Sequence, residues 1–466
     1  MSKSKGNVLE GAELLEKYPA DLIRFYFMWK ASPIEPLSFS TDELMSRPYQ
    51  VINTLFNLHL YFQQNSQYDN FSQTNTIDWA KQNDLLTSPD IWLLSKLQKL
   101  IQTLTEKNQT CKFHEGAKAI DDFIINNLSQ IYIPITRGEL WDEDEKKKDR
   151  RLAIYAVLSE VLKTLDILIH PFCPFTSEHL YQTVFSEKQS ILLDKWPSYQ
   201  ESLVNEEIEE SFDIMKDVVS ISSAARMKGK LKRRWPLNEA QICVKKNQKE
   251  RLESLSELLQ SQLNVEKFSI VETEKESGLE QILELKQLGL PVKGIVELER
   301  KRIGPKAKQH MGKLVSTFNE TDPEKIISSL QKDSKFDFEI DGEIISLENE
   351  DFIIDFDASE NFASSKRDGY IVFISTSRNK EMMARGLVKD IARRLQTLRK
   401  ERGYTPTDVL EVASILDLDE ESLEMMKEKA EELAFLVRVK KVNFTESCKE
   451  YKDDDIDGQK IRISVE

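Results

Sequence analysis

The spacing of apolar residues changes part-way along the chain from a helical period to short strand-like runs, and this change limits the folds that the chain can adopt. Between about 41 and 168 apolar residues recur at intervals of three and four, which is the period of an amphipathic helix. This spacing predicts helices over 41–60, 88–104, 113–128 and 149–168, with a polar surface loop at 63–75. From about 240 onward, short β-branched runs alternate with helical segments. The sequence therefore predicts a mainly α bundle followed by an α+β region.

The α+β region is predicted to contain short strands separated by helices. Strand patterns fall at 240–244, 265–271, 292–299, 336–340, 352–356, 370–375 and 461–465, and helical patterns at 249–259, 308–318, 380–402 and 420–432. The 380–402 helix has an apolar stripe, with Arg385, Lys389 and Arg393 on an adjacent face. We expect this helix to pack on a sheet with its charges in water, and phosphate contact is the alternative.

Composition narrows the class of protein. A chain of 466 residues with 40% hydrophobic content can form two or three domains with proper cores. It has no apolar run near the ~20 residues that cross a bilayer and no secretory signal, so we expect a cytoplasmic protein without membrane contact. The four cysteines are widely spread and predict reduced core thiols rather than disulfides. The net charge of -15 argues against coating of nucleic acid by the whole surface but permits local basic patches.

The first seven residues, Met-Ser-Lys-Ser-Lys-Gly-Asn, suggest a phosphate-binding loop. Lys3 and Lys5 can neutralise a triphosphate, while the small residues Ser2 and Ser4 let the backbone approach it. The competing interpretation is a frayed, solvated terminus.

A second basic run, at residues 226–237, contains six positive charges and no negative one. Such a cluster can hold phosphates, and Trp235 can stack on an unpaired base. The alternative is a solvated turn that Trp235 and Leu237 anchor to the core.

Two histidines and a cysteine lie close together at His170, Cys173 and His179, a combination that can bind zinc. Two prolines lie among them and no fourth ligand is near, so we expect a packed turn and no zinc. We expect Phe172 and Phe175 to fill the cap of the bundle there.

Several segments resemble class I aminoacyl-tRNA synthetases. Residues 1–27 are similar to the KMSKS signature and the "ADxxR" stretch after it in the isoleucine, valine, leucine and methionine group. Residues 92–97, 123–141, 170–181 and 190–197 resemble, in order, elements of the anticodon-binding helical domain of isoleucyl- and valyl-tRNA synthetases. Residues 226–237 and 384–404 resemble later elements of the isoleucyl enzymes. The chain is thus similar to the C-terminal portion of an isoleucyl-tRNA synthetase.

The resemblance implies an ATP-dependent ligase that attaches isoleucine to its tRNA. It implies that Lys3 is catalytic and that Ser2, Lys3, Ser4 and Lys5 contact ATP, bound with Mg²⁺. The residues expected to contact isoleucine tRNA are Arg137, Trp141, Arg226, Lys228, Lys230, Lys232, Arg233, Arg234, Trp235, Arg385, Lys389 and Arg393. We expect a monomer.

The sequence departs from the family in lacking the HIGH signature, the editing insertion and a cysteine-rich zinc tail. We therefore expect the chain to begin inside the KMSKS signature and to lack the catalytic Rossmann domain. Without that domain we expect it not to activate isoleucine, and we expect ATP and isoleucine as partners only when the domain is present. The predicted domains are a catalytic remnant at 1–40, the anticodon-binding bundle at 41–237 and an α+β accessory region at 238–466. Two alternatives stay open: a freestanding RNA-binding protein derived from a synthetase, and the same portion of a valyl- or leucyl-tRNA synthetase.

Overall fold

The computed structural model describes residues 11–72, 74–142, 144–185, 188–405, 408–444, 450–456 and 459–466. The chain divides into two compact units, Met1–Phe212 and Asp213–Glu466. Within the described ranges, no helix is long and apolar enough to cross a membrane. The predicted order of a helical region followed by a mixed region is confirmed, whereas the predicted domain bounds at 40 and 237 stay predictions.

The first unit is built from helices. They are α1 (Gly11–Lys17), α2 (Ala20–Lys30), α3 (Thr41–Leu44), α4 (Arg47–Tyr68), α5 (Ile77–Gln82), α6 (Ser88–Gln109), α7 (Phe113–Asp122), α8 (Ile133–Leu140), α9 (Lys148–Ile169) and α10 (Pro174–Val184). A π-helical stretch, Phe123–Tyr132, joins α7 to α8. Helix α6 begins at a capping box in which Thr87 and Asp90 satisfy each other's backbone N–H groups, with proline in the first turn.

The predicted loop at 63–75 is wrong in its first part, because α4 continues through it to Tyr68. Phe62 and Ser66 face the core while Gln64 faces water, so the polar letters belong to the outer face of one helix. An amphipathic helix with amide side chains on its wet face resembles a loop when composition alone is considered.

Charged groups are buried inside the bundle as matched pairs. Arg151 lies 2.8 Å from Asp69, which also accepts a hydrogen bond from Tyr155 at 2.9 Å. Arg150 lies 2.7 Å from fully buried Asp90. Each buried guanidinium therefore meets a carboxylate, as the low dielectric of a core requires.

The second unit alternates helices and strands, and α11 (Glu206–Lys228) runs into it from the first. The further helices are α12 (Lys249–Glu253), α13 (Ser256–Leu263), α14 (Gly278–Gln287), α15 (Arg300–Ala307), α16 (Met311–Glu320), α17 (Pro323–Asp333), α18 (Lys380–Glu401), α19 (Glu420–Glu428) and α20 (Ala430–Val437). The strands are β1 (Leu237–Lys245), β2 (Val265–Thr273), β3 (Val292–Leu298), β4 (Lys335–Ile340), β5 (Glu343–Glu348), β6 (Phe352–Ala358), β7 (Phe362–Arg367), β8 (Tyr370–Ser375), β9 (Leu410–Leu416), β10 (Val439–Asn443), β11 (Lys452–Ile456) and β12 (Gln459–Val465).

The strands form two four-stranded sheets, ordered β2-β1-β8-β7 and β10-β9-β12-β11, and two strand pairs, β3-β6 and β4-β5. The predicted strands are all present. The strands that the sequence missed are β5, β7, β9, β10 and β11. Of these, β7, β10 and β11 lie at sheet edges, where polar residues such as the three aspartates of β11 are favoured because they discourage pairing with other chains.

Candidate nucleic-acid interface

The basic run that follows α11 is folded around Arg226, whose side chain is 3% exposed. Its Nη1 donates to the carbonyls of Lys232 and Trp235 at 3.0 and 2.8 Å, and its Nη2 donates to those of Leu263 and Asn264 at 2.8 and 3.2 Å. Burial lowers the pKa of this guanidinium to about 10, with a further contribution from the positive charge of Arg233. The structure thus places Arg226 beneath the surface, where it holds the loop in shape.

A single buried carboxylate on α18, that of Asp390, fastens the same loop from the other side. It accepts hydrogen bonds from Lys232 Nζ at 3.0 Å and Trp235 Nε1 at 3.2 Å, and it lies 2.5 Å from Arg234 Nε. Asp390 is 0% exposed. The loop and the helix are therefore joined through a charge that water does not screen.

Trp235 is engaged by protein groups. A Cβ at Gly386 would approach the indole to 2.8 Å, so α18 comes this close only because position 386 is glycine. The guanidinium of Arg378 lies 4.0 Å from the ring centroid and the ammonium of Lys232 lies 4.8 Å from it. Trp235 therefore serves as the joint between the loop and α18.

A groove of about 760 Å³ opens beside this joint. It is lined by Lys232, Arg233, Arg234, Ser261, Gln262, Asn264, Lys389 and Arg393. Its five cations come from the loop and from α18, and its uncharged polar groups come from the end of α13 and the residue after it. None of the described residues that line it is acidic. The sequence-predicted basic loop and basic helix face thus converge on one surface.

Burial and neighbouring charges both affect Lys389 of the groove. Desolvation lowers its pKa, Glu432 acts in the opposite direction, and the like charges of Arg385 and Arg226 add to the lowering. Its ammonium lies 3.5 Å from the side-chain oxygen of Asn264. An anion placed here would relieve the repulsion between these cations.

The other predicted contacts of this unit lie beside the groove. Arg385 forms ion pairs with Glu266 at 2.6 Å and Glu381 at 3.1 Å and borders an adjoining cavity of about 440 Å³. Lys228 and Lys230 are exposed but are outside the groove lining.

Arg137 and Trp141 belong to the first unit. The guanidinium lies 5.7 Å from the indole centroid, and the indole is 46% exposed. The pair therefore offers an aromatic face and a positive charge to solvent at the end of α8.

The predicted ATP contacts Ser2, Lys3, Ser4 and Lys5 lie outside the described residues, but α2, later in the same resemblance, makes defined contacts. Asp21 of α2 accepts a hydrogen bond from the backbone N–H of Thr176 at 2.6 Å. Arg24 donates to the carbonyls of Pro171 and Phe172 at 3.0 and 3.4 Å. These contacts fasten the "ADxxR" stretch to the turn between α9 and α10, so two of the recognised sequence elements support each other.

The His170, Cys173 and His179 cluster forms a packed turn. His170 Nδ1 lies 2.8 Å from Ser177 Oγ, and Cys173 is fully buried. Throughout the described ranges, no group of three or more histidine, cysteine and acidic residues is placed to hold a metal. Phe172 is buried as predicted, but Phe175 is 71% exposed because the first turn of α10 directs it outward.

Sequence reasoning missed Asp390, Ser261, Gln262 and Asn264. The signal for Asp390 was present, since it is an acid inside the apolar stripe of a basic helix, next to Ile391. A charged residue on a buried face predicts a partner, and the partners are the basic loop some 150 residues earlier. Nothing in the local sequence around Ser261, Gln262 and Asn264 indicates that they lie beside the basic loop.

Comparison with known proteins adds to this geometry. The sequence matches the anticodon-binding domain of tRNA ligases over residues 90–242 and the class I tRNA synthetases (M) over residues 1–76. Over these two ranges the chain is similar to class I tRNA synthetases. The predicted resemblance to isoleucyl-tRNA synthetases is confirmed.

Relatives named isoleucine–tRNA ligase match along most of this chain. The Pyrococcus furiosus protein is 27% identical over 452 residues, which are 96% of this chain and 40% of the relative. The Clostridium novyi protein is 28% identical over 479 residues, covering 100% of this chain and 43% of the relative. The Methanothermobacter thermautotrophicus protein is 29% identical over 82% of this chain and 35% of its own length. The chain thus spans about two fifths of these relatives.

Among solved structures, the chain aligns with the AgnB2 LeuRS of Agrobacterium radiobacter K84 in a ternary complex with tRNA and LeuAMS. The identity is 21% and the TM-score 0.35, covering 44% of this chain and 23% of that chain. This likeness is too weak to support a statement about fold.

Proposed function

We propose that this chain provides tRNA recognition to an isoleucine–tRNA ligase, an enzyme that attaches isoleucine to its tRNA with ATP. The observation that carries the proposal is the groove in which Lys232, Arg233, Arg234, Lys389 and Arg393 face one space. The similarity to isoleucine–tRNA ligases along 96% of the chain supports the choice of tRNA as the partner.

The groove has the chemistry needed to bind a phosphate backbone. Arginine forks and lysine ammonium groups neutralise phosphate oxygens and release counterions, which supplies salt-dependent affinity. Ser261, Gln262 and Asn264 add hydrogen-bonding groups that can contact ribose or base edges. Such contacts fix the position of the nucleic acid and contribute sequence preference where bases are unpaired.

Arg137 and Trp141 provide a second kind of contact. An exposed indole can stack on an unpaired base, and the guanidinium beside it can hold the adjoining phosphate. This pair lies within the span that matches the anticodon-binding domain. We therefore propose that it contacts the unstacked anticodon loop.

In the whole ligase, Lys3 is the proposed catalytic residue and Ser2, Lys3, Ser4 and Lys5 the proposed contacts to the phosphates of ATP with its Mg²⁺. The support is the class I synthetase match over residues 1–76. Asp21 and Arg24 fasten α2, which lies within the same matched range, to the turn between α9 and α10.

Binding of an isoleucine tRNA transcript, measured by fluorescence anisotropy over a salt series, tests the proposal. Each lost phosphate contact is expected to reduce the salt slope by roughly 1. The double variant Arg233→Gln/Arg393→Gln should therefore reduce it by roughly 2 and weaken binding about tenfold at low salt.

The matched control is Lys313→Gln/Lys335→Gln, which removes two cations of the same unit that are paired with Asp341 and Asp337 outside the groove. It should leave the salt slope nearly unchanged. Equal losses in both double variants would show that total charge, rather than the groove, determines binding.

A panel of tRNA transcripts separates the alternatives. Preference for isoleucine tRNA supports the proposal, and preference for valine or leucine tRNA assigns the chain to a sister enzyme. Equal affinity for every RNA favours a freestanding RNA-binding protein. Pyrophosphate exchange into ATP, measured on the same chain, tests the expectation that it does not activate isoleucine alone.

A further inference from the structure

The two four-stranded sheets of the second unit have the same topology. In each, the first two strands in chain order are parallel neighbours joined through two helices, as in β1-α12-α13-β2 and β9-α19-α20-β10. In each, the fourth strand pairs antiparallel with the first, and the third forms a hairpin with the fourth. Rules on connection handedness make such topologies recur by chance, so topology alone proves nothing about origin.

The strand registers also agree. In the parallel pairs, Leu237 faces Val265 and Leu410 faces Val439, which are in each case the first residues of their strands. In the antiparallel pairs, the alanine three residues later, Ala240 or Ala413, faces the fourth strand. A slip of one residue would reverse every side chain between the two faces, so equal registers are an independent agreement.

A buried arginine that donates to four backbone carbonyls precedes each sheet. Arg399 of α18 is 5% exposed and donates to the carbonyls of Thr405, Asp408, Val437 and Arg438. Arg226 of α11 donates to four carbonyls as well. Both arginines reach the carbonyls six and nine residues ahead, and both reach the last two residues before the second strand.

The residues that follow α13 and α20, the second connecting helix of each sheet, are also equivalent to each other. Asn264 and Arg438 both have the left-handed conformation, with φ of 53° and 55°. The carbonyl of each accepts a hydrogen bond of 3.1 Å from the first residue of the first strand, Leu237 or Leu410. The four residues after each buried arginine likewise end in a positive φ, at Lys230 and Gly403.

Weak sequence agreement follows the same alignment. The first strands share the pattern Leu-x-x-Ala-x-Ile, at 237–242 and 410–415, and an Asp-Gly pair separates the last two strands of each sheet. The apolar stripe of α11 through Met215 and Val218 corresponds to that of α18 through Val388 and Ile391. The main difference is the connection between the second and third strands, which is 274–361 in one case and 444–451 in the other.

We infer that the second unit contains two copies of one duplicated module, and that the cationic groove is a site between the copies that binds an RNA phosphate backbone. The first copy comprises residues 215–273 and 362–375, and the second comprises 388–443 and 452–465. The assignment of RNA to the groove rests on the proposed function, whereas the duplication rests on the geometry and the sequence agreement described above.

Each copy supplies one wall of the groove. The loop at 232–234 and the end of α13 belong to the first copy, whereas Lys389 and Arg393 lie on the first helix of the second. Asp390 of the second copy holds Lys232, Arg234 and Trp235 of the first. The spacing between the two rows of cations therefore depends on the junction of the copies.

Asp390→Asn tests this dependence because RNA affinity should change in opposite directions if net charge governs binding and if the spacing of the cations governs it. The substitution removes a negative charge next to the groove, so affinity governed by net charge alone would rise. If the junction sets the spacing of the cations, RNA affinity falls roughly fivefold despite the added positive charge. The probe is the isoleucine tRNA transcript, bound to the full chain.

Asp417→Asn is the matched control, since it removes an exposed acid of the second copy that pairs with Arg462. It should raise affinity slightly or leave it unchanged. A gain with Asp390→Asn equal to that of the control would overturn the inter-copy site. If the unsubstituted chain binds no tRNA, the proposed function and the ligand assignment fail together, and the duplication is judged by the next measurement.

Amide hydrogen exchange tests the duplication without RNA. Arg226→Met should raise exchange roughly tenfold at Leu237 and Val265, and Arg399→Met should do the same at Leu410 and Val439. Each substitution should spare the other copy. If one arginine protects its strands and the other does not, the two arginines are not equivalent and the duplication inference is wrong. Arg226→Lys and Arg399→Lys should each raise exchange to an intermediate extent, by the same factor in both copies.

Discussion

The two units bury arginine in different ways. In the helical bundle, Arg150 and Arg151 each lie against a carboxylate, and the pKa of each guanidinium is raised by those partners despite desolvation. In the second unit, Arg226 and Arg399 are held by backbone carbonyls, and burial lowers the pKa of each. A carbonyl satisfies the hydrogen bonds of a cation without cancelling its charge, so the bundle neutralises its interior and the second unit leaves positive charge in place.

The buried charge of Arg226 lies close to the cationic groove. The pKa of Lys389 is lowered mainly by desolvation, and Arg226 adds to that lowering. Arg233, on the groove wall, in turn lowers the pKa of Arg226. A chain with a net charge of -15 can therefore still present a locally positive surface.

The largest expected loss of stability comes from breaking a buried ion pair in the bundle. Arg151→Met leaves Asp69 buried without its cation, and such broken pairs cost about 3–5 kcal/mol of unfolding free energy. Urea unfolding followed by the circular dichroism of the helices measures the change. Combining it with Asp69→Asn should recover part of the loss, and simple additivity would mean that the pair is not coupled.

The next largest expected effect is a pH dependence of the unfolding free energy that arises from one carboxyl of the bundle, that of Asp166. Desolvation raises the pKa of Asp166 to about 6, although its partner His59, 3.0 Å away, acts in the opposite direction. Because the folded pKa lies above the unfolded value of about 3.9, this carboxyl stabilises the fold most at low pH and loses that contribution as pH rises from about 4 to 6.

The loss is at most about 3 kcal/mol, since each pKa unit corresponds to about 1.4 kcal/mol. The measurement is the pH dependence of unfolding free energy for the unsubstituted chain relative to Asp166→Asn. The difference should shrink across that window. A flat difference would mean that the buried carboxyl does not titrate there.

Arg226→Met should cost less than Arg151→Met. Two of its four carbonyls keep other donors, because Trp235 N–H bonds to the Lys232 carbonyl and Leu237 N–H bonds to that of Asn264. The loss should be about 2 kcal/mol, from the carbonyls of Trp235 and Leu263 left without a donor. Thermal unfolding of the two methionine variants under identical conditions gives the order, and a larger loss for Arg226→Met would reverse the comparison.

The smallest effect concerns Arg137, an exposed cation of the bundle. Arg137→Gln removes one charge beside Trp141, so the salt slope of tRNA binding should fall by roughly 1 at most. This is about half the fall expected for the double groove variant. A larger fall for Arg137→Gln in the same anisotropy titration would place the main phosphate contact in the bundle.

The sequence predicted periodic elements better than the contacts between them. The apolar stripe of α18 and the change from helices to strands follow from side-chain spacing, which is local information. Arg226 was predicted to face phosphate but lies 3% exposed, since its carbonyl partners at Leu263 and Asn264 are fixed only by the tertiary fold. For the same reason the sequence located the basic loop and the basic helix but not Asp390, which joins them.

The long connection at 274–361 between β2 and β7, here called the insertion, covers one face of the first sheet. Cys243, Ile371 and Phe373 of the first sheet pack into the same core as Ile282 and Leu285 of the insertion. A sheet that had never been covered there would need polar side chains at those three positions, as exposed sheet faces do. Removing the insertion would therefore expose these three apolar side chains, and the shortened chain would need polar residues in their place.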